Sequence, residues 1–325
     1  MVPCAIGKDS WSFSRRFRKI LRETRYDVVH SHVHHFSGAV LRWANKEGVP
    51  IRIAHSHNSH DGRTDSPTRR CYRFLMKSWI NRYATRGLAP SEPAAQLFGE
   101  NWKADHRFQI LRFGLDLLPF EEPIDRCNIR SELGIPCGAA VIGHVGRFDR
   151  SKNHSFLLEI AGSVLKGRTD IHFLLVGDGP LRSEIETQAR TMGLSSNMHF
   201  VGIRTDVPRL MRGGMDLFIF PSINEGFGFS LLEAQAAGLG CLVSDTIPRD
   251  AASVTDSAEF LSLSAGSSHW AARARARLEG VRSKSPAIVT DEFRSRFSMQ
   301  ASLRQLMNIY TSNTDIDRST LEQHA

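Results

Sequence analysis

The chain has 325 residues, 41% of them hydrophobic and 23% charged, with a net charge of +8. That length exceeds one comfortable core and suits two α/β domains. No apolar run approaches the roughly 18 residues that span a bilayer, and residues 1–9 lack the apolar stretch of a signal peptide. The cysteines (Cys4, Cys71, Cys127, Cys137, Cys241) include no C-x-x-C pair. This argues against a disulfide framework or a cysteine zinc site and fits a reducing cytoplasm. Charge is unevenly spread. Residues 1–112 hold 20 Lys+Arg against 9 Asp+Glu, giving +11, and residues 113–325 hold 22 against 25, giving −3. A basic first part implies an anionic partner there: a nucleic acid, a membrane surface or a phosphorylated lipid.

In chain order, residues 11–25 place Phe13, Phe17, Ile20 and Leu21 at helical spacing, with arginines and Lys19 between them. A strand is predicted at 26–30 and a helix at 36–47, ending at Gly48. Ile51 to Ala54 reads as the next strand, 67–86 as a helix and 87–90 as a short strand. Gly114, Pro119 and the pair Glu121-Glu122 break the pattern, and a linker is expected over 113–135. A first domain at 1–112 and a second at 136–310 follow, with a polar, frayed tail at 311–325. The second domain opens with a continuous apolar strand at 139–145, followed by others at 172–176 and 216–220. Unalternating runs of this kind belong to parallel strands covered on both faces, whose carboxyl ends are where ligands bind in open α/β sheets.

The strongest chemical signal is Pro221 to Glu233. A buried strand is expected to end at Pro221, a loop follows, and a helix starts near Phe229 and stops at Gly238. Glu225 in the loop and Glu233 one turn into the helix then face one crevice, as acceptors for ribose and hexose hydroxyls. The backbone N–H groups of Gly226, Phe227, Gly228, Phe229 and Ser230 sit where a helix N-terminus holds an anion. The alternative is a helix-dipole acid and a solvated glutamate. After the first strand come Gly146-Arg147-Phe148 and Lys152-Asn153, a fork and a point charge that together suit one diphosphate, or else two solvated surface cations. Val176-Gly177-Asp178-Gly179-Pro180 and Phe200-Val201-Gly202 are turns that let backbone and ligand approach closely, though strand–Gly–helix turns are mostly structural.

Together these segments resemble glycosyltransferase family 4. Glu225 to Glu233 matches the family's E-x7-E motif, and Gly146, Arg147, Phe148, Lys152 and Asn153 match its diphosphate-binding segment. Val176 to Pro180 and Phe200 to Gly202 match its nucleotide-binding turns. The resemblance runs continuously over about 135–310. It extends less tightly through 10–112, where Asp27 to His32 and Arg52 to Asn58 look like exopolysaccharide- and capsule-building members. It implies a GT-B fold, two Rossmann-like parallel-sheet domains facing a cleft. It also implies a retaining, metal-independent hexosyltransferase acting from a UDP- or GDP-sugar on a glycan or polyprenyl-linked acceptor. By the same resemblance Arg147 and Lys152 neutralise the leaving diphosphate, Glu225 holds the donor sugar and Glu233 the ribose. The backbone after Gly202, at Ile203, receives the base. No cofactor and no metal are expected. The sole Asp-x-Asp triplet, Asp315-Ile316-Asp317, falls in the polar tail.

Seven of the fourteen histidines lie between positions 30 and 60: His30, His32, His34, His35, His55, His57 and His60. The bare pattern admits a zinc site, but the acids that usually complete or orient one are sparse there. The resemblance instead assigns a strand-end histidine to the donor sugar, His57 first and His55 second, with the others as polar lining. Family members begin with a strand, a glycine-rich loop and a helix, none of which precedes Trp11, so the first domain is expected to be truncated. A bared sheet edge then predicts poor solubility or a partner. The alternatives are a non-catalytic nucleotide-sugar-binding protein or a nucleotide-sugar epimerase. The basic helix 11–25 either rests on an anionic membrane face or simply covers a sheet. The expected location is the cytoplasm, at the inner face of the membrane, with no role for nucleic acid because no reading motif is present.

Overall fold

The computed structural model describes residues 10–57, 65–252, 257–281 and 289–311. Cys4, Asn58, His60, Asp315, Asp317 and nearly all of the expected tail lie outside the described residues. The chain divides into two compact units, residues 1–114 with 300–325, and residues 115–299.

The first unit winds α1 (Ser10–Glu23), β1 (Val28–Ser31), α2 (Ser37–Lys46), β2 (Ile51–His55), α3 (Pro67–Tyr83), β3 (Arg86–Ala89), the short α4 (Glu92–Ala95) and β4 (Phe108–Ile110). Its four strands pair in parallel in the order β1-β2-β3-β4. Helix α3 starts where Ser66 accepts a hydrogen bond from the Arg69 amide and Pro67 takes the first helical position, a favoured N-cap arrangement. One sheet face packs Leu41, Ile80, Leu97, Phe98 and Phe108. The other carries Ile51, Ile53, Leu88 and Leu111, and Ile309 of the last helix closes over it. Helix α1 turns inward: Phe13 is buried and packs on Phe36 and Trp43, and Glu47 takes both Arg18 and Arg22. Of the aromatic residues Trp11, Phe13 and Phe17 of this helix, Trp11 alone stays well exposed, at 80%.

The second unit runs α5 (Arg126–Glu132), β5 (Ala140–Val145), α6 (His154–Leu165), β6 (Ile171–Val176), α7 (Arg182–Thr191), β7 (Met198–Phe200), α8 (Val207–Arg209) and β8 (Leu217–Phe220). It continues with α9 (Phe229–Ala236), β9 (Gly240–Ser244), β10 (Ala258–Leu261), α10 (Gly266–Val281) and α11 (Asp291–Phe297). The last helix, α12 (Met299–Thr311), passes from this unit into the first. Six parallel strands lie in the order β10-β9-β8-β5-β6-β7, so the winding reverses between β5 and β8. Every residue of β6 and β8 is buried, as expected of strands covered on both faces.

The structure departs from the sequence reading at several places. Strand β4 and helix α5 fall where no element was expected, α5 within the stretch read as linker. Asp216 stands just before its strand rather than in it. There its carboxylate accepts hydrogen bonds from the Val141 amide at 2.8 Å and Arg130 at 2.7 Å, and it pairs with Arg126. Arg130 is almost fully buried and also donates to the Cys137 and Ala139 carbonyls, so this cluster pins α5 to the sheet. Against the expectation that the chain has no disulfide framework, Cys127 and Cys137 are joined in a disulfide with Cα atoms 4.9 Å apart.

Candidate nucleotide-sugar site and histidine cluster

In the second unit the loops after β9, β8, β5, β6 and β7 lie side by side, the first two tied by the Thr246 hydroxyl and the rest by backbone hydrogen bonds. Thr246 donates to the Ser222 carbonyl at 2.9 Å, and the Ile223 amide to Ser151 at 2.7 Å. The Gly146 amide donates to Val176 at 3.0 Å, Phe148 to Asp178 at 3.0 Å, and Gly177 to Gly202 at 2.8 Å. Gly177 has φ +134, and a Cβ there would overlap the Gly146 carbonyl; only glycine allows that approach. The row is therefore a rigid rim at the carboxyl ends of the strands, where the winding reverses and ligands bind.

Lys152 sits on the turn after β5, which Asp149 caps by accepting from the Ser151 amide at 3.0 Å. Its ammonium meets the Glu225 carboxylate and lies 4.9 Å from the centre of the Phe220 ring. Both side chains are mostly shielded, 14% and 13% exposed. Sequence placed Lys152 and Glu225 on different parts of a ligand; folding brings them into one ion pair. Arg147 is exposed and has no side-chain partner among the described residues. Glu233, on the first turns of α9, likewise has no hydrogen-bond or ion-pair partner for its carboxylate among the described residues. Burial pushes its pKa up to about 7, because desolvation disfavours the charged form.

The remaining residues of the rim position these groups. Gly228, at φ +93, is the N-cap of α9. Gly226 precedes Phe227, whose ring is buried against Phe229 and Phe297. Asp178 holds its own turn, accepting from the Gly179 amide at 2.6 Å and from Arg182 at 3.1 Å, and these two hydrogen bonds, the Gly179 amide first, keep its pKa lowered. Ile203 is 79% exposed beside Gly202. Phe148 is fully buried and stacks on His154, 4.0 Å between ring centres. Ser222, at the end of β8, was not singled out from sequence. Its hydroxyl is buried without a hydrogen-bond partner among the described residues, and a serine two residues past a strand carries no local signal of that.

In the first unit, β1 and β2 bring His30, His32, His55 and His57 together at their carboxyl ends. His30 Nε2 lies 3.1 Å from His55 Nδ1, and His32 Nδ1 lies 2.8 Å from His57 Nε2. His30 Nδ1 reaches the Tyr310 hydroxyl at 2.7 Å. Phe113 stacks on His57, 5.8 Å between centres, and on His55 at 6.2 Å. Burial, then the neighbouring imidazoles, lowers His30 to about 3 and His55 to about 2. His32 and His57 are lowered by the same causes. His34 and His35 stand together just outside this group, 4.4 Å apart.

Two parallel sheets, of four and of six strands, the second with its winding reversed between β5 and β8, are the architecture of the GT-B type. Residues 125–261 match the family described as glycosyl transferases group 1, and residues 3–113 match the glycosyl transferase 4-like domain. The putative glycosyltransferase EpsF of Bacillus subtilis (strain 168) is 33% identical over 322 residues, covering 98% of this chain and 83% of EpsF. The UDP-Gal:alpha-D-GlcNAc-diphosphoundecaprenol alpha-1,3-galactosyltransferase of Escherichia coli is 28% identical, covering 70% of this chain and 60% of that enzyme. The fold matches that of Anabaena HepE in complex with UDP, with a TM-score of 0.78 and 19% identity over 93% of this chain and 82% of HepE. The chain belongs to the group 1 glycosyltransferases, enzymes that transfer a sugar from a nucleotide sugar. Among the described residues no helix is long and apolar enough to cross a membrane.

Proposed function

We propose that the protein is a retaining hexosyltransferase of polysaccharide biosynthesis, moving a hexose from a UDP- or GDP-sugar to a glycan or polyprenyl-linked acceptor without a metal ion. The observation that carries this reading is the rim of the second unit, where Arg147, Lys152 and Glu225 project from loops tied together by backbone hydrogen bonds and Glu233 from the helix α9 that follows. Arg147 as a fork and Lys152 as a point charge meet the diphosphate and stabilise the charge that develops as it departs. This is the work that a divalent ion does elsewhere. Glu225 holds Lys152 in place and takes hydroxyls of the donor sugar. Glu233 takes the ribose hydroxyls, and the backbone at Gly202 and Ile203 receives the base. In the first unit His57 and His55 are the candidates for contact with the donor sugar.

The relatives support the substrate class. The E. coli enzyme is named for a UDP-galactose donor and a diphosphoundecaprenol-linked acceptor, and HepE is described with UDP. The test is transfer from a panel of nucleotide hexoses to a polyprenyl-diphosphate-linked sugar in excess EDTA, with the product linkage read by NMR. Expected is a product that keeps the donor's anomeric configuration, formed at a rate that EDTA does not lower. Inversion, or activity abolished by EDTA and restored by magnesium or manganese, contradicts the reading.

A further inference from the structure

The donor reading uses at most two of the four imidazoles that meet at the ends of β1 and β2. The ring centres of His30 and His32 are 4.2 Å apart, those of His32 and His55 5.0 Å, and those of His55 and His57 4.4 Å. One ring nitrogen from each of His30, His32 and His55 can be chosen so that all three lie within 4.8 Å of one another. A tetrahedral ion bound at about 2.0–2.1 Å needs its ligand nitrogens roughly 3.3 Å apart, so small side-chain rotations suffice. Two rings that face each other nitrogen to nitrogen have a single proton to share. His55 Nε2 is moreover buried with no hydrogen-bond partner. An orphaned buried nitrogen of this kind marks the place of a water or an ion.

The donor chemistry selects the ion. A set of imidazoles suits zinc, nickel or copper and is a poor host for magnesium, calcium or manganese. From sequence, zinc is disfavoured because acidic orienting partners are sparse, but folding supplies an orienting hydroxyl from 280 residues away. The Tyr310 hydroxyl, 2.7 Å from His30 Nδ1, fixes that ring so that Nε2 points into the cluster, the outer-shell arrangement typical of metal-bound histidine. The cluster also has an entrance, since His32 is exposed, His30 half-buried and His55 buried.

We propose that His30, His32 and His55, with His57 beside them, bind one divalent transition-metal ion of the zinc type, and that Tyr310 is the positioning residue of this site. The site uses none of the rim residues, and the binding of the ion does not depend on how the donor is read. Its consequence rests on the proposed role of His55: an ion there occupies that ring, so zinc is an inhibitor of transfer rather than its cofactor.

The test uses tag-free full-length protein, stripped with chelator, dialysed against zinc chloride, desalted and assayed by atomic emission. Cobalt(II) is substituted in parallel and its visible spectrum recorded. Expected is about one zinc per chain and a tetrahedral cobalt band. Both are lost, to below about a tenth of an equivalent, in His30→Gln/His32→Gln, and zinc affinity falls about 10–100-fold in Tyr310→Phe. His172→Gln/His199→Gln removes another facing pair, 3.0 Å apart on β6 and β7, and is expected to keep the metal. Should the first double variant fail to fold by near-UV circular dichroism, Tyr310→Phe and the cobalt spectrum decide. Less than a tenth of an equivalent on the wild-type chain, or unchanged affinity in Tyr310→Phe, overturns the proposal.

Discussion

The rim of the second unit and the histidine cluster of the first both sit at carboxyl ends of parallel strands, but they are held by different means. The rim is held by backbone: the Gly146, Phe148, Gly177 and Ile223 amides each donate to a neighbouring loop, so its geometry survives the loss of a side chain. In the cluster the paired strands β1 and β2 set only the backbone, and the rings are held to one another by ring-to-ring contacts and the Tyr310 hydroxyl. Changing a charged residue on the rim should therefore cost chemistry, whereas changing a ring in the cluster should disturb its neighbours as well.

The largest expected effect follows from removing both rim cations. Arg147→Ala/Lys152→Ala should lower kcat/KM by at least about a thousandfold, roughly 4 kcal/mol of transition-state stabilisation, in steady-state kinetics with a nucleotide sugar. A companion pair separates charge from fold. Lys152→Met leaves Glu225 as a shielded, unpaired carboxylate and should destabilise the unit, whereas Lys152→Met/Glu225→Gln should recover most of that stability and stay inactive. Equal activity in the recovered double variant would remove the ion pair from the mechanism.

Next in size is the pin beneath the rim. Arg130→Met strands Asp216 next to the sheet without its buried partner, and a loss of about 3–5 kcal/mol is expected in chemical denaturation. A change under 1 kcal/mol would show that α5 is held by packing alone.

Glu233 gives a smaller effect of definite sign. Its folded pKa of about 7 lies above the ordinary 4.5. The protonated carboxyl's contribution is thus fully present below about pH 4.5 and lost as pH rises through about 7, by about 3 kcal/mol at most. Glu233→Gln should therefore be more stable than the wild type at pH 8, yet bind the nucleotide sugar more weakly. The histidine cluster titrates in the opposite sense. His30 and His55, lowered to about 3 and about 2, favour folding above pH 6.5, and that contribution is lost as pH falls toward those values. Each ring contributes about 1.4 kcal/mol per pH unit below 6.5. Melting curves of His30→Gln/His55→Gln between pH 6.5 and 5 should be flatter than those of the wild type; parallel curves would contradict the burial argument.

What sequence could reveal follows the same division. Strands β5, β6 and β8, the loops after them and the end of α9 near Gly238 were readable because apolar runs, glycines and charged residues fall within a few positions of one another. Strand β4 escaped because Phe108-Gln109-Ile110 is too short and mixed to show a period. Helix α5 escaped although Asp125 caps it by accepting from the Asn128 amide at 3.1 Å; seven residues around a buried arginine do not look amphipathic. Pairings across the chain left no local trace: Lys152 with Glu225, Arg130 with Asp216, and His30 with Tyr310 are 73, 86 and 280 positions apart. The strand-end histidines could be nominated singly, but not their meeting with a residue of the last helix.

Titration calorimetry with UDP-, GDP- and ADP-linked hexoses, in buffer containing EDTA, asks the central question most directly. Saturable heat should appear with one nucleotide class on the wild-type chain. It should vanish in folded protein carrying Arg147→Ala, Lys152→Ala, Glu225→Ala and Glu233→Ala together. Undiminished heat in that variant, or none from any donor with well-folded wild-type protein, would mean that the rim is not where the nucleotide sugar binds.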